Sequence, residues 1–177
     1  MTDALPEGWL PTPFGVHEAD AARFAAELSR IAAESFPGFI DGDEARGAVA
    51  AVIARPRATA STIGRVWHVL GPQATGAVVD LSIAEETDPV PDSPFEFSIP
   101  QRIWQFDGGR AVLSMVAPRE GVPMAMVLRA QRVDGARTLI ADVFDEPAAL
   151  GVILDDVITL VGGEPRPGAD GAESLSA

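Results

Sequence analysis

Cysteine, lysine, tyrosine and asparagine are all absent from the 177 residues. Without cysteine there can be no disulfide, no thiolate nucleophile and no thiolate metal ligand. Without lysine, Schiff-base chemistry and a phosphate-cradling loop of the P-loop type are excluded. Without tyrosine there is no phenolic acid. The missing lysine, asparagine and tyrosine share AT-rich codons, while Ala, Gly, Pro and Arg are abundant. That pattern points to a GC-rich bacterial genome, so the exclusive use of arginine is not read as a phosphate-binding device. Long apolar runs are lacking too: charge or glycine interrupts each within about a dozen residues, too few to span a bilayer.

Acid outweighs base, 26 residues to 13, for a net charge of -13. Such a surface repels nucleic-acid backbones, whose binding rests on basic neutralisation and counterion release. It also disfavours anionic membranes. No nucleic-acid or membrane partner is therefore expected, whereas a basic protein would be attracted. Hydrophobic residues make up 47%, enough for a core in one domain of ordinary size. The opening Met1–Glu7 has neither the basic start nor the apolar run of a signal peptide, so a cytoplasmic location is expected.

Periodicity divides the chain. Residues 1–16 read as an extended arm anchored by Trp9. A helix is predicted over Glu18–Ser35 from the spacing of Phe24, Leu28 and Ile31, closed by Pro37-Gly38. A second runs from Asp43, a plausible N-cap, to Ala54, ended by Pro56. Strands follow at 66–70 and 77–84. In the latter Val79, Leu81 and Ile83 should face a core, with Asp80 and Ser82 on a wet face. Residues 85–94 read as a solvated loop. Hairpins are predicted at Ile103–Phe106 with Ala111–Val116, and at Met124–Val133 with Thr138–Phe144, the latter turning at Asp134-Gly135. A last helix spans Ala148–Val161, capped by Asp145 or Glu146 and ended by Gly162-Gly163. Residues 164–177 read as a disordered tail. The expected fold is α+β: a mainly antiparallel sheet of about six strands, two N-terminal helices and one C-terminal helix packed on one face, in a single domain over 17–163.

The segments Gly8–Phe14, Asp107–Leu113, Met124–Val133, Thr138–Phe144, Asp145-Glu146-Pro147 and Leu154–Ile158 resemble a group of small uncharacterised actinobacterial proteins. The strand–turn–strand–helix ending is similar to that of Mog1/PsbP-like domains, including lipoproteins of that fold. This chain departs from those lipoproteins in lacking the lipobox cysteine and in its longer helical first half. The resemblance implies a fold ending and a link to type VII secretion. It carries no catalytic residue over.

Chemistry-bearing residues are few. A Ser61–His68–Asp80 set can be assembled on paper, but neither Ser61 nor Ser114 has a nucleophile-elbow frame. His17 reads as an exposed or capping residue. Asp41-Gly42-Asp43-Glu44 opens like a calcium loop, yet its sixth and twelfth positions are Arg46 and Val52, so a turn before a helix is the better reading. Arg129 and Arg132 should point to opposite faces of one strand, which argues against a joint anion clamp. The last helix is unusually apolar, with Val152 and Leu160 outside its main apolar face. With Met124 and Met126 they form the expected interaction surface. No metal or cofactor is expected. The favoured reading is a non-enzymatic protein-interaction domain (an accessory, chaperone or immunity-type protein) whose partner is a basic protein or a second copy. The alternatives are a small-molecule-binding domain, with a pocket around Trp67, Trp104 and the methionines, and a hydrolase-like enzyme using His68.

Overall fold

A computed structural model describes residues 5–69, 77–85, 90–116, 125–145 and 147–164. The elements in chain order are β1 (Trp9–Pro11), α1 (Glu18–Ser35), α2 (Asp43–Ala54), β2 (Thr62–His68), β3 (Val78–Glu85), β4 (Ser98–Phe106), β5 (Gly109–Val116), β6 (Ala125–Asp134), β7 (Arg137–Asp145) and α3 (Pro147–Leu160). The α+β class holds, with seven strands in an antiparallel sheet ordered β1-β2-β3-β7-β6-β5-β4. The strand beyond the expected six is β1, three residues of the arm that pair Trp9 with His68 and Leu10 with Trp67. Residues 71–76, which join the first two predicted strands, the loop 118–123 before Met124, the cap at Glu146 and the tail beyond Glu164 lie outside the described residues. Among the described residues, no helix is long and apolar enough to cross a membrane. The chain forms two compact units, divided between Asp80 and Leu81.

In the first unit α1 and α2 cover one face of the strands. Their buried Ala21, Ala25, Leu28, Ala32, Val49, Val52 and Ile53 meet Leu10, Phe39, Trp67, Val69 and Val78. The alanines of α1 recur every three or four residues, so one stripe of the helix lies close to its neighbours. Trp67 is fully buried and stands edge-on to Phe39, with ring centroids 5.9 Å apart. The N-cap of α2 is Gly42 rather than Asp43, and no side chain caps the helix. The acid that matters here is Asp41, which accepts two bonds from Arg46 (2.7 and 2.8 Å) and one from the Ser29 hydroxyl of α1 (2.8 Å). These hydrogen bonds, Arg46 foremost, hold the Asp41 carboxyl down to about 2. A carboxylate whose pKa falls on folding stabilises the fold above its unfolded value, and this contribution is lost as pH drops through the folded value. Asp41→Asn should therefore lower stability at neutral pH, and its deficit against the parent should shrink as pH falls from about 4 towards 2. Denaturant titrations at several pH values check this.

Asp80 and Ser82 are buried, which corrects the wet face expected for β3. Asp80 is matched by Arg65 of β2, whose side chain is fully buried. Arg65 Nε and Nη2 donate to the two Asp80 carboxylate oxygens (2.6 and 2.9 Å). Nη1 donates to the carbonyls of Val52 and Arg55, and Nη2 also to that of Pro56. All five guanidinium N–H groups are thus used. The Arg55 and Pro56 carbonyls, just past the end of α2 at Ala54, are thus closed by a side chain from the sheet. The Ala58 N–H adds a third donor to Asp80, at 2.6 Å.

The second unit is built on two linked hairpins. Register runs Ile99–Met115–Met126, Arg102–Leu113–Leu128–Val143 and Trp104–Ala111–Ala130–Ala141 on one face. Here α3 packs, chiefly on β6 and β7. Gly163 at its end leaves room only for the Phe106 ring and Ile158. The amide N–H groups of Gly162 and Gly163 donate to the carbonyls of Thr159 and Ile158 at 2.8 and 3.0 Å, and Gly162 has φ +75°. That is a Schellman ending, as the glycine pair predicts. The opposite face carries the rows Gln105–Arg110–Gln131–Ile140 and Ile103–Val112–Arg129–Asp142. Against it lies the segment 91–95. Arg129 donates from Nε and Nη2 to Asp142 (2.7 Å each) and from Nη1 to the Pro91 carbonyl (3.0 Å). Phe95 meets Phe144 edge-on at 5.2 Å. The described part of the predicted solvated loop is therefore partly a cover. At the sheet edge, β4 contains Pro100 and a register shift between Pro100 and Arg102.

Candidate functional site

The paper triad does not assemble. Arg65 and His68 are three residues apart on β2, so they project from opposite faces. Asp80 lies on the Arg65 side, held by both guanidinium bonds. The Ser61 hydroxyl is 3.0 Å from that of Thr59. His68 is buried with its ring 4.5 Å from Trp9, its register partner across the β1–β2 pair. Gly8, at φ +90°, allows close approach, since a side chain there would meet His68 Nε2. His68 thus packs the arm onto β2. Ser114 is fully buried, and its hydroxyl has no hydrogen-bond partner in the structure. Among the described residues no three histidines or acids gather as a metal site would require. His17 occupies the exposed N-cap position of α1 without a side-chain cap bond.

The four residues expected to form an interaction surface are distributed differently. Val152 is 69% exposed on the outward side of α3, near Asp155 and Thr159, while Leu160 is half-buried. A single exposed valine is ordinary on a protein surface. Met124 lies outside the described residues. Met126 is half-buried in a row with Met115 and Ile99. With Leu113 and Trp104, this row makes an apolar strip on the helix-bearing face, where β4 and β5 extend beyond the strands that α3 chiefly covers. Ile99 is 53% exposed, and the other four are half-buried. The Arg102 guanidinium stacks on Trp104, 5.1 Å from its ring centre. Although the whole chain is strongly acidic, neither β4 nor β5 contains an acid; their only charges are Arg102 and Arg110.

On the other face is a cavity of about 390 Å³. Gln105, Arg110 and Gln131 form one cross-strand row along it, and Val133 pairs with Thr138 beside them. Val90, the Gly108-Gly109 turn and Arg132 complete the lining. Arg110 pairs with Asp92 (2.6 Å), which also accepts from Gln131 Nε2 (3.1 Å). Trp67 is sealed in the core of the first unit and Trp104 belongs to the strip, so neither lines this cavity. The sequence reading missed the cavity because its polar residues come from β4, β5, β6 and β7, where only register brings them together. Comparison with protein-family models, curated proteins and solved structures finds no match.

Proposed function

We propose that the chain is a non-enzymatic protein-interaction domain, of the accessory, chaperone or immunity type, that binds through the strip Ile99–Leu113–Met115–Met126–Trp104. The observation that carries this reading is the strip itself: apolar, partly open and built on two acid-free strands of a chain with net charge -13. Protein interfaces commonly combine a centre depleted of charge and enriched in aromatic residues and methionine with a polar rim. Methionines let such a surface adapt to its partner, and Trp104 with its stacked arginine has the chemistry of a binding hot spot. The overall acidity favours a basic partner, drawn in by long-range attraction and held by the apolar centre.

The test compares the parent with Ile99→Glu in affinity purification from the native cell. Ile99 is exposed, so the substitution should leave the melting temperature nearly unchanged. A stoichiometric protein should be retained by the parent and depleted about tenfold in the variant, a loss of about 1.4 kcal/mol. Retention of no stoichiometric protein, or equal retention by both, overturns the reading. A second copy as the retained partner would appear as a dimer in light scattering of the purified parent.

A further inference from the structure

We infer that the cavity beside the β4–β5 turn binds a neutral polyhydroxylated small molecule, a sugar or sugar alcohol. It lies on the sheet face opposite the apolar strip and does not depend on it. Its volume of about 390 Å³ falls in the range of small-molecule sites. Charge decides first what it can take. Arg110 lines it but is already matched by Asp92, at 2.6 Å. Arg132 borders it, yet its guanidinium lies beside Gly162 at the end of α3, on the helix-bearing face. Asp92 in turn receives both Arg110 and the Gln131 amide. The described charges are therefore balanced, and a charged ligand would give up its hydration for no opposite charge left to meet it.

Hydrogen-bonding capacity decides the rest. Gln131 and Thr138 both line the cavity and are only 6% and 9% exposed. The Gln131 amide donates to Asp92 from Nε2, and among the described residues its carbonyl oxygen and the Thr138 hydroxyl have no hydrogen-bond partner. Neither oxygen is sealed in as the Ser114 hydroxyl is, so both are open to a ligand. Polar groups this deeply placed gain from a partner. Gln105 adds an exposed amide at the far end of the Gln105–Arg110–Gln131 row. With β5 between them, the Gln105 and Gln131 side chains start about 10 Å apart, two strand spacings. They can reach hydroxyls on two sides of one small ring or chain. The set mixes donors and acceptors, and a hydroxyl does both through one atom. Val90 and Val133 supply apolar contact for the C–H groups of such a molecule. Among the described residues no aromatic side chain lines the cavity, so binding rests on hydrogen bonds and is weak.

The site is tested by nuclear magnetic resonance on the full chain, titrated separately with glucose, galactose and mannitol, and with gluconate as the charged counterpart of glucose. At least one neutral probe should shift the Gln105 and Gln131 side-chain amides and the Gly108 and Gly109 backbone amides, with a midpoint below about 20 mM. Added salt should leave that midpoint in place, since no charge is being paired. Whether a ring sugar or the open-chain mannitol binds tighter separates the two sources of the same hydroxyl chemistry. Thr138→Val keeps the β-branched shape and Gln105→Leu alters an exposed side chain, so both variants should fold. Each should weaken binding about fivefold, the size of one net hydrogen bond. The inference is overturned if no neutral probe saturates these resonances, if gluconate binds tighter than every neutral probe, or if both variants bind as the parent does. None of these outcomes bears on the partner captured through Ile99.

Discussion

Replacing Arg65 with methionine should cost about 3–5 kcal/mol of stability, because it strands the Asp80 carboxylate in a buried site. Both partners are inaccessible, with side-chain exposures of 0% and 5%. The substitution also removes the guanidinium donors to the carbonyls of Val52, Arg55 and Pro56. Against a typical total stability of about 5–15 kcal/mol, such a loss leaves the fold marginal or undone. Removing both charges together, as Arg65→Met with Asp80→Leu, should recover much of it, since a buried ion pair is often no better than well-packed apolar residues. Urea denaturation of the two variants measures the difference. A deficit below about 1 kcal/mol in the single variant would mean that the pair is not the staple described here.

Arg129→Met should be comparably severe, about 3–5 kcal/mol, for the same electrostatic reason: Asp142 is fully buried and receives both parallel guanidinium bonds. Its signature differs. The third Arg129 bond goes to the Pro91 carbonyl, so the variant should loosen residues 91–95 from the sheet. Hydrogen exchange near Phe95 should then rise further than the global loss of stability accounts for. Unchanged exchange in 92–97 would show that the Phe95–Phe144 contact holds the segment without Arg129.

Where local patterning and backbone chemistry act together, the sequence is a sufficient guide. The span of α1, the glycine ending of α3 and the two C-terminal hairpins follow from apolar spacing, glycine pairs and turn dipeptides. What was not legible depends on partners distant in sequence. Asp80 reads as a wet-face residue because its alternation is that of any half-exposed strand. Only an arginine 15 residues earlier in the sequence makes its burial tolerable. Three-residue β1 carries too few positions to show a period, and Pro11 and Pro13 mark it as irregular. The surface expected on α3 followed from its excess of apolar residues. The structure instead buries Leu150, Ile153, Val157, Ile158 and Val161 together and, among the described side chains of the helix, leaves Val152 as the one exposed large apolar group. The cavity and the strip are both products of strand register, which composition does not encode.

The edge strand β4 has a consequence for the kind of assembly the protein can enter. Pro100 offers no amide hydrogen, and the register shift beside it breaks the even spacing that an added strand would need. A neighbour cannot readily extend the sheet there by backbone pairing, so recognition at this margin falls to side chains. Binding of that kind closes after one partner instead of presenting a fresh template to the next, which favours a finite complex over a growing fibre.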